Sequence, residues 1–313
     1  MKRYIAKRTL QAIPTLLGVS FLSFILLHLF PGDPAEMILT IISGSEPSYA
    51  EIQRFRRQMG FDKPLIVQYL HWLSNAVRGN FGTSWTEGKP VMDLIMQRFP
   101  ASAELFFTTF AISLVFAAVL GILSAIYKDR VIDHFCRIFS LLGISIPSFW
   151  LGLVLIWIFS VKLHLLPAFG YGNGDLKHLI LPVVTWSFSF MAIKTRFVRS
   201  CLLEALSQDY IVTARAKGLR ERIIVLRHAL RNALIPIVTY FSLSIHHLII
   251  GSIMVEVVFS WPGLGSLLVE SVFKRDFPVV QALVFLSGAL FIVVNLIVDL
   301  LYAVIDPRIR YGD

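Results

Sequence analysis

The run from Thr9 to Phe30 contains no aspartate, glutamate, lysine or arginine, and comparable runs recur at 105–127, 138–161, 232–255 and 277–298. About 20 consecutive apolar residues suffice for a helix to cross a bilayer, where every backbone polar group must be satisfied within the segment. The charge deficit agrees: 16% of the 313 residues are charged, against about 25% in soluble domains. The reading is an all-α membrane protein. The net charge of +9 does not imply a nucleic-acid partner, because basic residues beside apolar spans are what membrane orientation demands.

Six transmembrane helices are predicted, at 9–30, 104–127, 138–162, 179–199, 232–258 and 280–305. Lys2, Arg3, Lys7 and Arg8 precede the first. That run is too long for a secretory signal and has no small-residue cleavage site, so it reads as an uncleaved span. Lysine and arginine counts set the topology. With the N-terminus inside, the inner segments hold four, three (Lys128, Arg130, Arg137), nine (Lys194 to Arg231) and two (Arg308, Arg310). The short outer loops hold two each, Lys162 with Lys177 and Lys274 with Arg275. The first outer segment holds seven, but long loops are largely exempt from this rule. Both termini are therefore expected in the cytoplasm, with residues 1–103 forming a span plus an extracytoplasmic cap. Residues 104–313 form a five-helix core with a cytoplasmic loop at about 200–231. Cys136 and Cys201 then face the reducing side, where a disulfide is not expected.

The outer segment carries helix signals. Ser48-Tyr49-Ala50-Glu51 is a capping box, Gly60 is a natural helix stop, and Leu65–Val77 repeats its apolar residues at helical spacing. Trp72, Phe81 and Trp85 suit the membrane interface. The loop His164–His178 holds Pro167, Gly170, Gly172 and Gly174 and should be irregular.

The most basic stretch, Glu204–Pro236, reads as two helical segments split at Gly218. Asp209 is placed to cap a short helix, Tyr210–Lys217, whose last turn carries Arg215 and Lys217. A second helix starts near Glu221 and runs through Arg227, His228 and Arg231 into the fifth span. A short capped helix between two spans can transmit force as a unit; the plainer reading is an ordinary basic loop.

Polar groups within spans are costly and mark functional candidates. Pro147 interrupts the third span, as a pathway point or a static kink. Asn295 and Asp299 share a face of the sixth span, lining a pathway or bonding a neighbouring helix. Glu256 lies at the outer end of the fifth span, where water is in reach. Trp261, in Phe259–Gly265, belongs to an outer gate, a partner contact or a rigid turn. His246 and His247 sit in mid-span. Neutral imidazole suits nickel, but adjacent helical residues point about 100° apart and cannot chelate one ion as an i,i+4 pair does.

Residues Tyr210–Gly218 followed by His228–Pro236 resemble the cytoplasmic EAA loop of ABC importer permeases, in the form found in the dipeptide/oligopeptide/nickel permease family. Thr213-Ala214 and Gly218 stand at that family's small residues and glycine, while Val212 replaces the leading glutamate of the general motif. Pro31-Gly32-Asp33-Pro34, Gly60–Leu65 with Gln68-Tyr69, Phe81–Ser84, Phe259–Gly265 and Asp306-Pro307-Arg308 are similar to the same branch. The resemblance implies a permease subunit of the prokaryotic cell membrane that works by alternating access. Its implied partners are a second homologous permease, two ATPases, an extracytoplasmic solute-binding protein and membrane lipid. Glu204, Asp209, Tyr210, Ala214, Arg215 and Gly218 become the expected ATPase-coupling residues. No G-x-x-x-x-G-K-[ST] loop is present, so no catalytic site or cofactor is expected in this chain; ATP and magnesium belong to the partners. The loop Leu166–Gly172 and the mid-span histidines favour nickel, free or chelated, as substrate, with di- and oligopeptides as the alternative. A secondary transporter would need more buried ionisable residues and leaves the basic stretch unexplained.

Overall fold

The computed structural model describes residues 2–29, 32–242, 244 and 252–305, with side chains over 10–28, 32–172, 174–242, 244 and 252–297. Among these the chain is helical, with one isolated β-bridge between Thr83 and Pro90. The helices are α1 Lys2–Leu29, α2 Pro34–Ser43, α3 Tyr49–Met59, α4 Leu65–Val77, α5 Val91–Ile126 and α6 Val131–Ser145. They continue as α7 Ser148–Lys162, α8 Leu176–Leu206, α9 Asp209–Ala216, α10 Glu221–Ser242, α11 Ile253–Val258, α12 Leu264–Phe273 and α13 Phe277–Ile305.

Five helices among the described residues are long and apolar enough to cross a membrane: α1, α5, α8, α10 and α13. A sixth crossing requires α6 and α7 together, and these are bent by 100° at their junction. The third span expected over 138–162, interrupted at Pro147, is thus a pair of helices that breaks sharply at that proline. Pro147 lacks an N–H and forces the residue before it out of the helical region; Ile146 is accordingly extended, at φ −86° and ψ 120°. The second half of α7, Ile156–Lys162, is wound as a π-helix.

The chain divides into two compact units, Met1–Pro100 with Gly263–Leu296, and Ala101–Pro262 with Ile297–Asp313. Gly263–Leu296 thus groups with the N-terminal hundred residues. Asp276 provides one tie within this unit. Its carboxylate accepts from Ser84 Oγ (2.5 Å), Thr86 Oγ1 (2.7 Å) and the Trp85 amide (3.1 Å), tying the start of α13 to the loop after α4. Further along, Gln281 Nε2 donates to the Phe24 carbonyl of α1 at 3.0 Å. In the same unit Ser48 and Glu51 form the predicted capping box, Gly60 ends α3 at φ +75°, and Tyr69 of α4 shares a 2.6 Å hydrogen bond with Ser20 of α1.

The second unit is built on close helix approach. A Cβ on Gly121 of α5 would lie 2.7 Å from the Val198 side chain of α8, and one on Gly143 of α6 would lie 2.5 Å from Ala192 Cβ. Such small-residue contacts are how helices associate in lipid. Asp133 of α6 fixes their register: fully buried, it accepts both Arg199 Nε and Nη2 at 2.8 Å, Ser124 Oγ at 2.5 Å and the Asp129 amide at 3.0 Å. A buried charge is tolerated when its lone pairs are filled in this way.

Candidate functional site

The basic stretch folds as a helix, a glycine and a second helix. At its start, the carbonyl of Glu204 accepts from the Ser207 amide and hydroxyl at 3.2 and 2.8 Å, ending α8. Gln208, extended at ψ 152°, then occupies the N-cap of α9 without a side-chain cap bond. The expectation that Asp209 caps this helix is corrected by one position. It is the first helical residue, where the positive end of the dipole favours its carboxylate, and its carbonyl accepts from Thr213 Oγ1 at 3.1 Å. Gly218 stops the helix at φ +72°, a conformation that costs any residue with a Cβ.

α9 is anchored by two side chains one turn apart. Ile211 and Ala214 are buried in the cluster that holds Leu202, Ile224, Val225 and Ala229. At its far end Arg215 grips Glu221, the first residue of α10, through Nη2–Oε1 (2.6 Å) and Nε–Oε2 (3.3 Å). The opposite face is open. Val212 is 61% exposed and Tyr210 38%, and Leu219, Ile223, Leu226, Lys217, Arg220 and Arg222 are also exposed. Glu204, Asp209, Tyr210, Arg215 and Gly218 thus lie on the exposed side of this loop, whereas Ala214 lies beneath it.

The pathway candidates scatter. Pro147 makes the bend between α6 and α7. Glu256 does not reach water: it is fully buried and accepts from Ser102 Oγ and Ser252 Oγ, both at 2.6 Å. That expectation is corrected, and the cause is a partner more than a hundred positions away in sequence. Trp261 is 1% exposed, donates Nε1–H to the Ala101 carbonyl at 2.9 Å and meets the Tyr171 ring edge-on at 4.8 Å. Tyr171 in turn donates to Glu104 Oε2 at 2.7 Å, which pushes its phenol above the usual range. The turn around Trp261 is therefore pinned from two directions. Asn295 is half-buried on α13, and Asp299 is on the same helix with its side chain outside the described set. His246 and His247 lie outside the described residues. Among the described residues no group of three or more metal-ligating side chains forms.

One residue was misread in sequence. Lys194, counted with the cytoplasmic cations, is 2% exposed within α8. Its ammonium donates to Ser113 Oγ at 3.3 Å and sits over the rings of Phe190, Phe110 and Phe241 at 4.4, 4.6 and 5.2 Å. Ring quadrupoles stabilise a desolvated cation by roughly 2 kcal/mol or more. Phe190, one helical turn before Lys194, was the available signal.

Five described helices long and apolar enough to cross a membrane, with the bent α6–α7 pair as a sixth, make this an all-α membrane protein. The chain belongs to the binding-protein-dependent transport system inner membrane component family, whose profile matches residues 117–311, with the profile for the family's N-terminal part matching residues 1–106. It is a permease subunit of a binding-protein-dependent ABC importer, a multi-pass protein of the bacterial cell membrane. It is 45% identical over 311 residues to the glutathione transport system permease protein GsiC of Escherichia coli (strain K12), covering 99% of this chain and 100% of that protein. To the oligopeptide transport system permease protein AppB of Bacillus subtilis (strain 168) it is 43% identical over 320 residues, covering 99% and 100%.

Proposed function

We propose that this chain forms one half of the membrane channel of an importer for small peptides. It pairs with a second homologous permease, is powered by two ATPase subunits and is fed by an extracytoplasmic solute-binding protein. The observation that carries the substrate class is full-length similarity, at 45% and 43% identity, to permeases named for glutathione and oligopeptide transport. The nickel reading drew on the Leu166–Gly172 loop and the mid-span histidines; neither relative is named for nickel, and the peptide reading takes its place.

The mechanism follows from how α9 is held. Its buried pair Ile211 and Ala214 and the Arg215–Glu221 grip make it rigid relative to α8 and α10. An ATPase seated on Tyr210 and Val212 that moves on closing ATP would carry both helices with it, rocking the spans between inward- and outward-open states. The chain contributes no covalent chemistry; hydrolysis falls to the partners. In the reconstituted complex, a peptide-loaded binding protein should stimulate ATP hydrolysis and a nickel-loaded one should not. Stimulation by nickel alone would overturn the substrate assignment.

A further inference from the structure

The first compact unit contains a cavity of about 360 Å³ lined by none of the coupling or pathway candidates. Its walls are aromatic, with Phe24, Trp72, Phe81 and Trp85 among the lining residues. Arg57 and Lys63 also line it, and no carboxylate does. Arg57 forms no ion pair among the described residues, although its neighbour Arg56 is paired with Asp33. The Lys63 stem lies across Gly60, 3.6 Å from where a Cβ would stand, so the αL turn at the end of α3 places this cation.

A hydrogen-bonded pair also lines the cavity. Gln68 Nε2 donates to the carbonyls of Lys63 (2.8 Å) and Phe61 (3.3 Å), which turns its Oε1 toward His28 Nε2 at 3.3 Å. An amide oxygen only accepts, so His28 Nε2 carries a proton toward it. His28 Nδ1 is buried without a hydrogen-bond partner among the described residues.

We propose that this cavity binds an amphiphilic anion. Its carboxylate or phosphate engages Arg57 and Lys63, and its apolar body packs on the aromatic walls. A free peptide with its C-terminal carboxylate and an anionic phospholipid of the outer leaflet share this chemistry. The site is independent of which solute the importer carries.

The full-length permease in phosphatidylcholine nanodiscs would be titrated with N-acetyl-Leu-Leu as the free acid and as the C-terminal amide, following tryptophan emission. In parallel, nanodiscs containing phosphatidylglycerol would be analysed for lipid retained on the protein by native mass spectrometry. The acid, the lipid or both should bind saturably, and the responding arm identifies the source. Arg57→Gln/Lys63→Gln should weaken that binding by about tenfold or more, in keeping with loss of charged hydrogen bonds. Arg54→Gln/Arg78→Gln, which alters exposed cations outside the cavity, should leave binding unchanged, and Trp72→Phe should diminish the emission signal. No saturable binding of either ligand to the wild type, or equal binding by the Arg57/Lys63 double variant with its melting temperature unchanged, would overturn the proposal.

Discussion

Arg215 and Glu221 clasp the turn at Gly218, with both carboxylate oxygens engaged by one guanidinium at 2.6 and 3.3 Å. Both side chains are about half exposed, and a pair in that setting is worth at most about 1 kcal/mol. Its importance is geometric, because it fixes the angle between α9 and the helix that follows. Glu221→Ala should therefore leave the melting temperature nearly unchanged while lowering substrate imported per ATP hydrolysed. The exchanged pair Arg215→Glu/Glu221→Arg should recover part of that ratio. A drop in stability without a change in coupling would show the clasp to be only a staple.

Gly218 has nothing within 4 Å of where a Cβ would be, yet its φ is +72°. Substitution there strains the backbone without creating a clash. Gly218→Asn should be tolerated, since asparagine visits this region. Gly218→Val should cost about 1–2 kcal/mol or more locally and uncouple transport while the protein still inserts, as read by transport assay alongside membrane abundance.

The α6–α8 contact makes a sharper steric prediction. Gly143→Ala places a methyl 2.5 Å from Ala192 Cβ and 3.1 Å from the Phe188 carbonyl. Overpacking of this kind typically destabilises by about 1–3 kcal/mol. Thermal unfolding in detergent should show the loss, and adding Ala192→Gly should restore part of it. The Phe188 carbonyl is backbone, so the rescue should be incomplete.

Tyr171 supplies a pH dependence. Its hydrogen bond to Glu104 raises the phenol pKa in the folded protein, so the folded state holds that proton more tightly than the unfolded chain does. The stability it contributes is fully present below about pH 10, the unperturbed tyrosine value, and is lost as pH rises through the folded value. Tyr171→Phe should lower stability at neutral pH and flatten this alkaline decline, as measured by denaturation across pH.

Local signals were readable from sequence, and long-range partners were not. The Ser48–Glu51 capping box, the limits of Leu65–Val77 and the stop at Gly218 depend on residues within a few positions, and the structure places them as the pattern indicates. Glu256 gave no sign of its burial because Ser102 comes from a different helix. Lys194 looked like another cytoplasmic cation because charge counting ignores which face of a helix a residue occupies, and its aromatic cage is drawn from three helices. Pro147 announced a break, but a proline does not state its angle, here 100°. The π-wound turns at Ile156–Lys162 and Ile224–Ala229 carry no signature in apolar periodicity.

The central claim is that α9 is where the ATPase pushes. Val212, 61% exposed, and Ile211, fully buried, are chain neighbours on that helix. A photo-crosslinking amino acid placed at each position in turn, in the assembled complex, tests the claim most directly. The account predicts an adduct with the ATPase subunit from position 212 and none from position 211. Absence of an ATPase adduct from position 212 in a complex that still transports would contradict it.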